Sequence, residues 1–243
     1  NPAGIDVRQP RLSWRIESNE QNVIQTAYHI LVASTPELLE QGKGDIWDSG
    51  KIESDVSQWI AYQGKTLKRN APYYWKVKID TNKGTTDWST PAFWTTGLFN
   101  EADWQGQWIG LDKAAPGDSE TQWSRLAARY LRKEFALKKE VKRATVHIAG
   151  MGLYELFING QRIGNQVLAP APTDYRKTIL YNTYDVTSLL QTENAIGVTL
   201  GNGRFYTMRQ NYKPYKIPTF GYPKLRLNLI VEYADGSKET IAT

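Results

Sequence analysis

The chain contains no cysteine. That absence excludes a disulfide framework, thiolate-bound zinc and a cysteine nucleophile. Histidine is nearly absent as well: His29 and His147 are the two in the chain, which excludes a metal centre built from several imidazoles. Only 2 Met stand against 9 Trp and 14 Tyr. An apolar set of that kind favours strands and sugar-contacting surfaces over helix bundles. No stretch reaches the roughly 20 consecutive apolar residues of a membrane-spanning helix. No basic segment followed by an apolar one opens the chain, so any export signal is expected to be absent or already removed.

What is present points to two globular domains. A length of 243 residues is generous for one small domain, and 40% apolar residues are enough for real cores. The formal charge of +5 comes from 30 basic and 25 acidic residues interspersed along the chain. Mixed charge of this kind keeps a surface soluble and does not form the basic stripe of a nucleic-acid binder. Neither nucleic acid nor membrane is therefore an expected partner. Internal repeats and low-complexity segments are lacking.

The first hundred residues read as short strands. Arg11–Ile16 alternates, with Leu12, Trp14 and Ile16 on one face. Ala27–Ala33 alternates too, and both of its faces are apolar enough to point inward. Ser34-Thr35-Pro36-Glu37 predicts a capped helical turn. Strands are then expected over 45–52, 57–62, 73–80 and 92–96, with turn signals at Asp48-Ser49-Gly50, Asn70-Ala71-Pro72 and Asn82-Lys83-Gly84. In the run 74–79, Trp75, Val77 and Ile79 are expected to face the core and Lys76, Lys78 and Asp80 the water. A polar boundary follows at 98–103.

The second half is again strand-like, over 129–135, 144–149, 154–158, 194–200, 225–232 and 240–242. Asn159-Gly160 between two such runs is a strong hairpin signal, because a type I′ turn needs positive φ at both positions. Ala234-Asp235-Gly236 marks a second hairpin. Asp185 is expected to cap a short helical turn over 185–190. The fold class is therefore all-β: two β-sandwich domains, at 1–98 and 104–243.

Candidate chemistry is sparse. Leu200-Gly201-Asn202-Gly203 follows a strand, but Arg204-Phe205-Tyr206 does not open a helix as a phosphate-binding loop would. A tight turn is the expected reading. Each histidine sits in a strand-like run without a nucleophile in a supporting context, so structural roles are expected. No local run singles out the carboxylate pair that glycoside hydrolysis requires. The segment 205–218 mixes Tyr206, Tyr212 and Tyr215 with Arg, Asn and Lys. Sugar rings offer C–H faces to aromatics and hydroxyls to such polar groups, and a packed covering loop is the competing reading. Asp174, in Thr173-Asp174-Tyr175 after Ala169-Pro170-Ala171-Pro172, is expected to hold its own turn, with a sugar or calcium ligand as the alternative.

Taken in order, these segments resemble the N-terminal part of bacterial α-L-rhamnosidases of glycoside hydrolase family 78. Asn1-Pro2-Ala3-Gly4-Ile5-Asp6, Pro10-Arg11-Leu12-Ser13-Trp14, Tyr73-Tyr74-Trp75-Lys76-Val77 and Trp88-Ser89-Thr90-Pro91 are similar to that family's fibronectin-III-like opening domain. Trp104–Gly110 is similar to the linker after it. Tyr130–Phe135, Gly152–Gly160, Thr173–Tyr175, Tyr184–Thr187 and Leu200–Gly203 resemble its jelly-roll-like N-terminal domain. One departure is local: Arg204-Phe205-Tyr206 stands where the family usually has Trp-Tyr.

The resemblance implies an exo-acting hydrolase that removes terminal α-L-rhamnose, with inversion, from glycans or glycosides. It places the catalytic acids in a later (α/α)6 barrel, so no catalytic residue is carried onto this chain. Its implied partners are a rhamnose-containing glycan or glycoside and the absent C-terminal catalytic domain. It further implies a second sandwich that continues past Thr243, with an exposed sheet edge open to self-association. An alternative is a rhamnose-binding module without catalysis, calcium-assisted as in some relatives, with Asp174, Asn202, Tyr206 and Tyr212 as carbohydrate-binding candidates. A third reading is purely structural, with both sandwiches bracing the barrel. The resemblance implies a periplasmic or cell-surface setting; the lack of cysteine is compatible with the cytoplasm too.

Overall fold

The computed structural model describes residues 1–114, 118, 126–206 and 220–243. Strands dominate, and they gather into two compact units, Asn1–Glu101 and Ala102–Thr243.

The first unit holds β1 (Arg11–Leu12), β2 (Gln25–Ala33), α1 (Pro36–Glu40), β3 (Trp47–Glu53), β4 (Ile60–Ala61), β5 (Pro72–Thr81), β6 (Gly84–Thr85) and β7 (Ala92–Thr95). Five of these strands form one antiparallel sheet, β3-β2-β5-β6 with β7 also on β5; β1 and β4 pair separately. Tyr28, Ile30 and Val32 of β2 and Tyr73, Val77 and Ile79 of β5 supply the inner face, against Leu12, Tyr62 and Trp94. Alternation puts Leu31 and Ala33 on the opposite face, where they meet Leu39 of α1. The helix starts as its sequence predicts: Thr35 accepts from Leu38 N–H and Pro36 is the first helical residue.

Three local expectations are corrected. The alternation of 11–16 forms a paired strand only at Arg11–Leu12, although Trp14 and Ile16 still pack on the core. Asp48-Ser49-Gly50 is not a turn between strands. It bulges inside β3, where the register with β2 jumps from His29–Lys51 to Leu31–Asp48 and Gly50 has φ +59°. Lys76 does not face water. It is buried, its ammonium donates to the Leu39 carbonyl at 2.7 Å, and it lies 5.0 Å from the Trp88 ring centroid.

The second unit holds β8 (Ile109–Gly110), β9 (Arg129–Ala136), β10 (Val141–Met151), β11 (Leu153–Ile158), β12 (Gln161–Ile163), β13 (Tyr181–Asp185), β14 (Glu193–Gly201), β15 (Lys224–Tyr233) and β16 (Lys238–Ala242). One sheet runs β13-β10-β15-β16, with β8 also on β15, and the other β12-β11-β14-β9. All the pairings are antiparallel. Val146, Ile148, Leu227 and Leu229 of one sheet face Leu156, Ile158, Val198 and Leu200 of the other, which makes a sandwich. Fully burying each such side chain contributes roughly 1.5–3 kcal/mol. Asn159 and Gly160, at φ +52° and +82°, make the predicted β11–β12 turn. Asp185 ends β13 rather than capping a helix; its carboxylate accepts from Thr187 N–H, and a single 3-10 turn follows at Thr187–Leu189.

The outer face of β10 and β15 is also covered. His147, Arg226 and Asn228 are buried there, the last two bonded to a strap at 103–106. Asn228 Oδ1 accepts from Gly106 N–H at 2.8 Å and Gln105 N–H at 3.2 Å, and its amide donates to the Asp103 carbonyl at 3.2 Å. Arg226 Nε donates to the Gly106 carbonyl at 2.7 Å, with its guanidinium 5.2 Å from the Trp104 ring centroid.

Candidate functional site

At one end of the second unit, the turn between β10 and β11, the chain leaving β14 and the chain entering β15 come together. Gly152 occupies the first of these, at φ +130°. A β-carbon there would collide with the Gly201 carbonyl oxygen, so the close approach of the two segments requires glycine. Gly203 turns back at φ +52° against Leu153. The Gly201–Gly203 segment is thus the expected tight turn, and a further turn rather than a helix follows it.

Beyond that turn the side chains are aromatic. Phe205 and Phe220 stack at 5.9 Å, joined by a backbone hydrogen bond from Phe220 N–H to the Phe205 carbonyl. Tyr175 closes on both edge-on, at 5.2 and 5.4 Å. Tyr206 stacks on Tyr222 at 5.7 Å. Beside them opens a cleft of about 460 Å³, walled by Trp108, Phe205, Phe220 and Tyr222, with Asp112 and Lys224 paired at 3.0 Å. Apolar ring faces beside a charged pair suit a ligand that has both C–H surface and hydroxyls.

Three of the four sequence candidates lie around this end, and two are engaged internally. Asp174 holds its own loop: it accepts from Arg176 Nε at 3.0 Å, and its carbonyl accepts from Lys177 and Thr178 N–H. The Arg176 hydrogen bond holds the Asp174 carboxyl below its ordinary range. Through Tyr175 this loop joins the aromatic cluster. Asn202 donates to the Leu126 carbonyl at 3.1 Å, while its own carbonyl accepts from Tyr206 N–H. Tyr206 is half-buried against Tyr222. Tyr212, and Tyr215 with it, lies outside the described residues.

Sequence reasoning missed Trp108, Phe220, Tyr222 and the Asp112–Lys224 pair. The signal was Phe220-Gly221-Tyr222-Pro223, an aromatic-glycine-aromatic run just past the 205–218 stretch.

Calcium does not fit this donor set. Asp174 faces Arg176 and Lys177, and among the described residues no group of three His, Asp or Glu could hold a metal ion. Both histidines are engaged by neighbouring side chains. His29 Nε2 lies 2.6 Å from Asp48 Oδ1. His147 Nδ1 lies 2.9 Å from Thr183 Oγ1, and burial, reinforced by Arg143, lowers its pKa to about 4. Asp48, Asp80, Asp174 and Asp235 are all displaced downward in pKa, mainly by hydrogen bonds from Gly50, Lys51, Arg176 and Ser237 respectively. A glycosidase general acid needs the opposite displacement.

Comparison with known proteins agrees with this architecture. Residues 139–243 match the family described as the α-L-rhamnosidase N-terminal domain, and residues 1–100 match the Rha78A-like N-terminal immunoglobulin domain. An α-L-rhamnosidase of Formosa agariphila is 38% identical over 98% of this chain, which covers 27% of that protein. The structure of α-L-rhamnosidase from Dictyoglumus thermophilum superposes with a TM-score of 0.87 at 39% identity, over 100% of this chain and 27% of that one. That of the Aspergillus terreus enzyme gives 0.83 at 32% identity, over 98% and 26%. The chain thus spans about a quarter of the length of these relatives. With an immunoglobulin-like module followed by the rhamnosidase N-terminal domain, the chain corresponds to an N-terminal region of an α-L-rhamnosidase.

Proposed function

We propose that this chain is the non-catalytic N-terminal part of an exo-acting α-L-rhamnosidase, in which a separate C-terminal domain hydrolyses terminal α-L-rhamnose. The observation that carries the reading is the match of essentially the whole chain to a quarter of its relatives' length. The purified chain is expected to release no rhamnose from an aryl α-L-rhamnoside. Release above the blank would overturn the reading.

A second reading is favoured by the cleft of Trp108, Phe205, Phe220 and Tyr222. There the chain binds rhamnose-containing glycans without catalysis, and Tyr206 acts through its stack on Tyr222. Titration with L-rhamnose is expected to saturate at millimolar sugar and to be indifferent to calcium. Tyr206→Ala should weaken binding about tenfold, in line with about 1–2 kcal/mol for an aromatic anchor. Flat heats would remove this reading and leave the first intact. Self-association at the β9 edge is opposed by its exposed Arg132-Lys133-Glu134 run, since charged edges resist strand addition.

A further inference from the structure

We propose that the groove between β3 and β4 of the first unit binds the neutral pyranose rings of a glycan chain, with Trp59 as its stacking platform. This site is separate from the cleft above and does not rest on the rhamnosidase reading.

The argument starts from Trp59. It is 67% exposed, the largest exposure of any tryptophan among the described residues. Its backbone is left-handed, at φ +59°, a conformation that a bulky side chain adopts only when its surroundings impose it. Two contacts impose it here. Trp59 N–H donates to Ser13 Oγ at 3.0 Å, and the Arg11 guanidinium lies 4.9 Å from the ring centroid. Arg11 does not line the groove, whereas Trp59 does. The cation therefore packs on the indole without entering the groove lining. An exposed ring is thus held beside the groove by two contacts.

The groove it borders has a volume of about 310 Å³, large enough for a sugar ring. Tyr28, Trp47 and Ile52 supply apolar surface, and Ser54, Gln58 and Gln63 supply hydroxyl and amide groups. Amides both donate and accept, as sugar hydroxyls do. No Asp, Glu, Lys or Arg lines the groove, so it suits a neutral sugar rather than a uronate or a sulfated ring. Its wall is also prebuilt. The buried Gln25 side chain donates to the Ser54 carbonyl at 2.9 Å and the Val56 carbonyl at 3.0 Å, while its own oxygen accepts from Trp14 Nε1 at 2.9 Å. Preorganisation of this sort lowers the cost of binding.

Affinity electrophoresis of the whole chain tests the proposal, in gels containing xyloglucan, galactomannan, arabinoxylan or polygalacturonate. At least one neutral polymer is expected to retard the wild-type chain. Trp59→Gly should weaken that retardation at least tenfold, and Trp59→Phe should keep part of it. Glycine accepts φ +59° without strain, so the Trp59→Gly chain should melt no earlier than wild type, which separates lost binding from lost folding. Retardation by no neutral polymer, by polygalacturonate alone, or equally for wild type and Trp59→Gly would each overturn the proposal. Rhamnose release and rhamnose titration are unaffected by any of these outcomes.

Discussion

In the first unit the outer face of the central sheet is closed by α1, whereas in the second it is closed by the irregular strap at 103–106. The helix satisfies most of its own backbone and lays Leu39 on Leu31 and Ala33, so one buried polar side chain, Lys76, reaches it. The strap has no ladder of its own. Asn228 accepts from its Gln105 and Gly106 N–H groups, and Asn228 and Arg226 donate to its Asp103 and Gly106 carbonyls, bonds that an apolar sheet face could not supply. What covers a sheet thus decides whether its second face can be apolar. Polar residues alternating along a strand do not by themselves mark a face toward water.

The comparison breaks most visibly at Asn228. Asn228→Ala would remove the acceptor of the Gln105 and Gly106 N–H groups and a donor to the Asp103 carbonyl, and is expected to cost about 3 kcal/mol of stability, measured by urea unfolding. Tryptophan fluorescence should report the same loss as Trp104 is freed from its contact with Arg226.

A similar effect should come from acid at His147, on the same face. In the unfolded chain this imidazole titrates at its ordinary 6.5, and in the fold burial lowers that to about 4. Above pH 6.5 it is neutral in both states, and its contribution to stability is fully present. Between pH 6.5 and about 4 only the unfolded chain takes up the proton, so stability falls by up to about 3 kcal/mol and then levels off. His147→Gln should flatten unfolding free energy across that window. An unchanged slope would show that another group is responsible.

The smallest effect belongs to the helix-covered face. Lys76→Met keeps the aliphatic stem and loses the bond to the Leu39 carbonyl and the contact with Trp88. A cost of about 1–2 kcal/mol is expected from a thermal unfolding series. If Lys76→Met cost as much as Asn228→Ala, the two coverings would be equally dependent on polar side chains and the contrast would fail.

These same residues show what the sequence made legible. Strands β9, β10, β11, β14, β15 and β16, the Asn159-Gly160 turn and the Thr35-Pro36 helix start could be read, because each rests on local periodicity or on backbone preferences of the residues themselves; β8 and β13, not expected from the sequence, are set by their pairing with β15 and β10. Lys76 and the Asp48–Gly50 bulge were misread, because burial and register depend on the neighbouring element. For the candidate site, Asp174 and Asn202 were legible as turn-formers. The cleft was not: Trp108, Phe205 and Tyr222 are brought together by pairing of β8 with β15 and by the turn after β14, contacts that span about a hundred residues of chain.

The close approach at Gly152 also bears on how the surface beside the cleft could be varied. Gly152 and Gly203 are closed positions, since backbone and Leu153 fill the space where any side chain would begin. Tyr206 and Tyr222 stand just outside that close approach. A library that varies the two tyrosines would therefore sample new surfaces beside the cleft on an unchanged frame, whereas one that varies the glycines would return mainly misfolded chains.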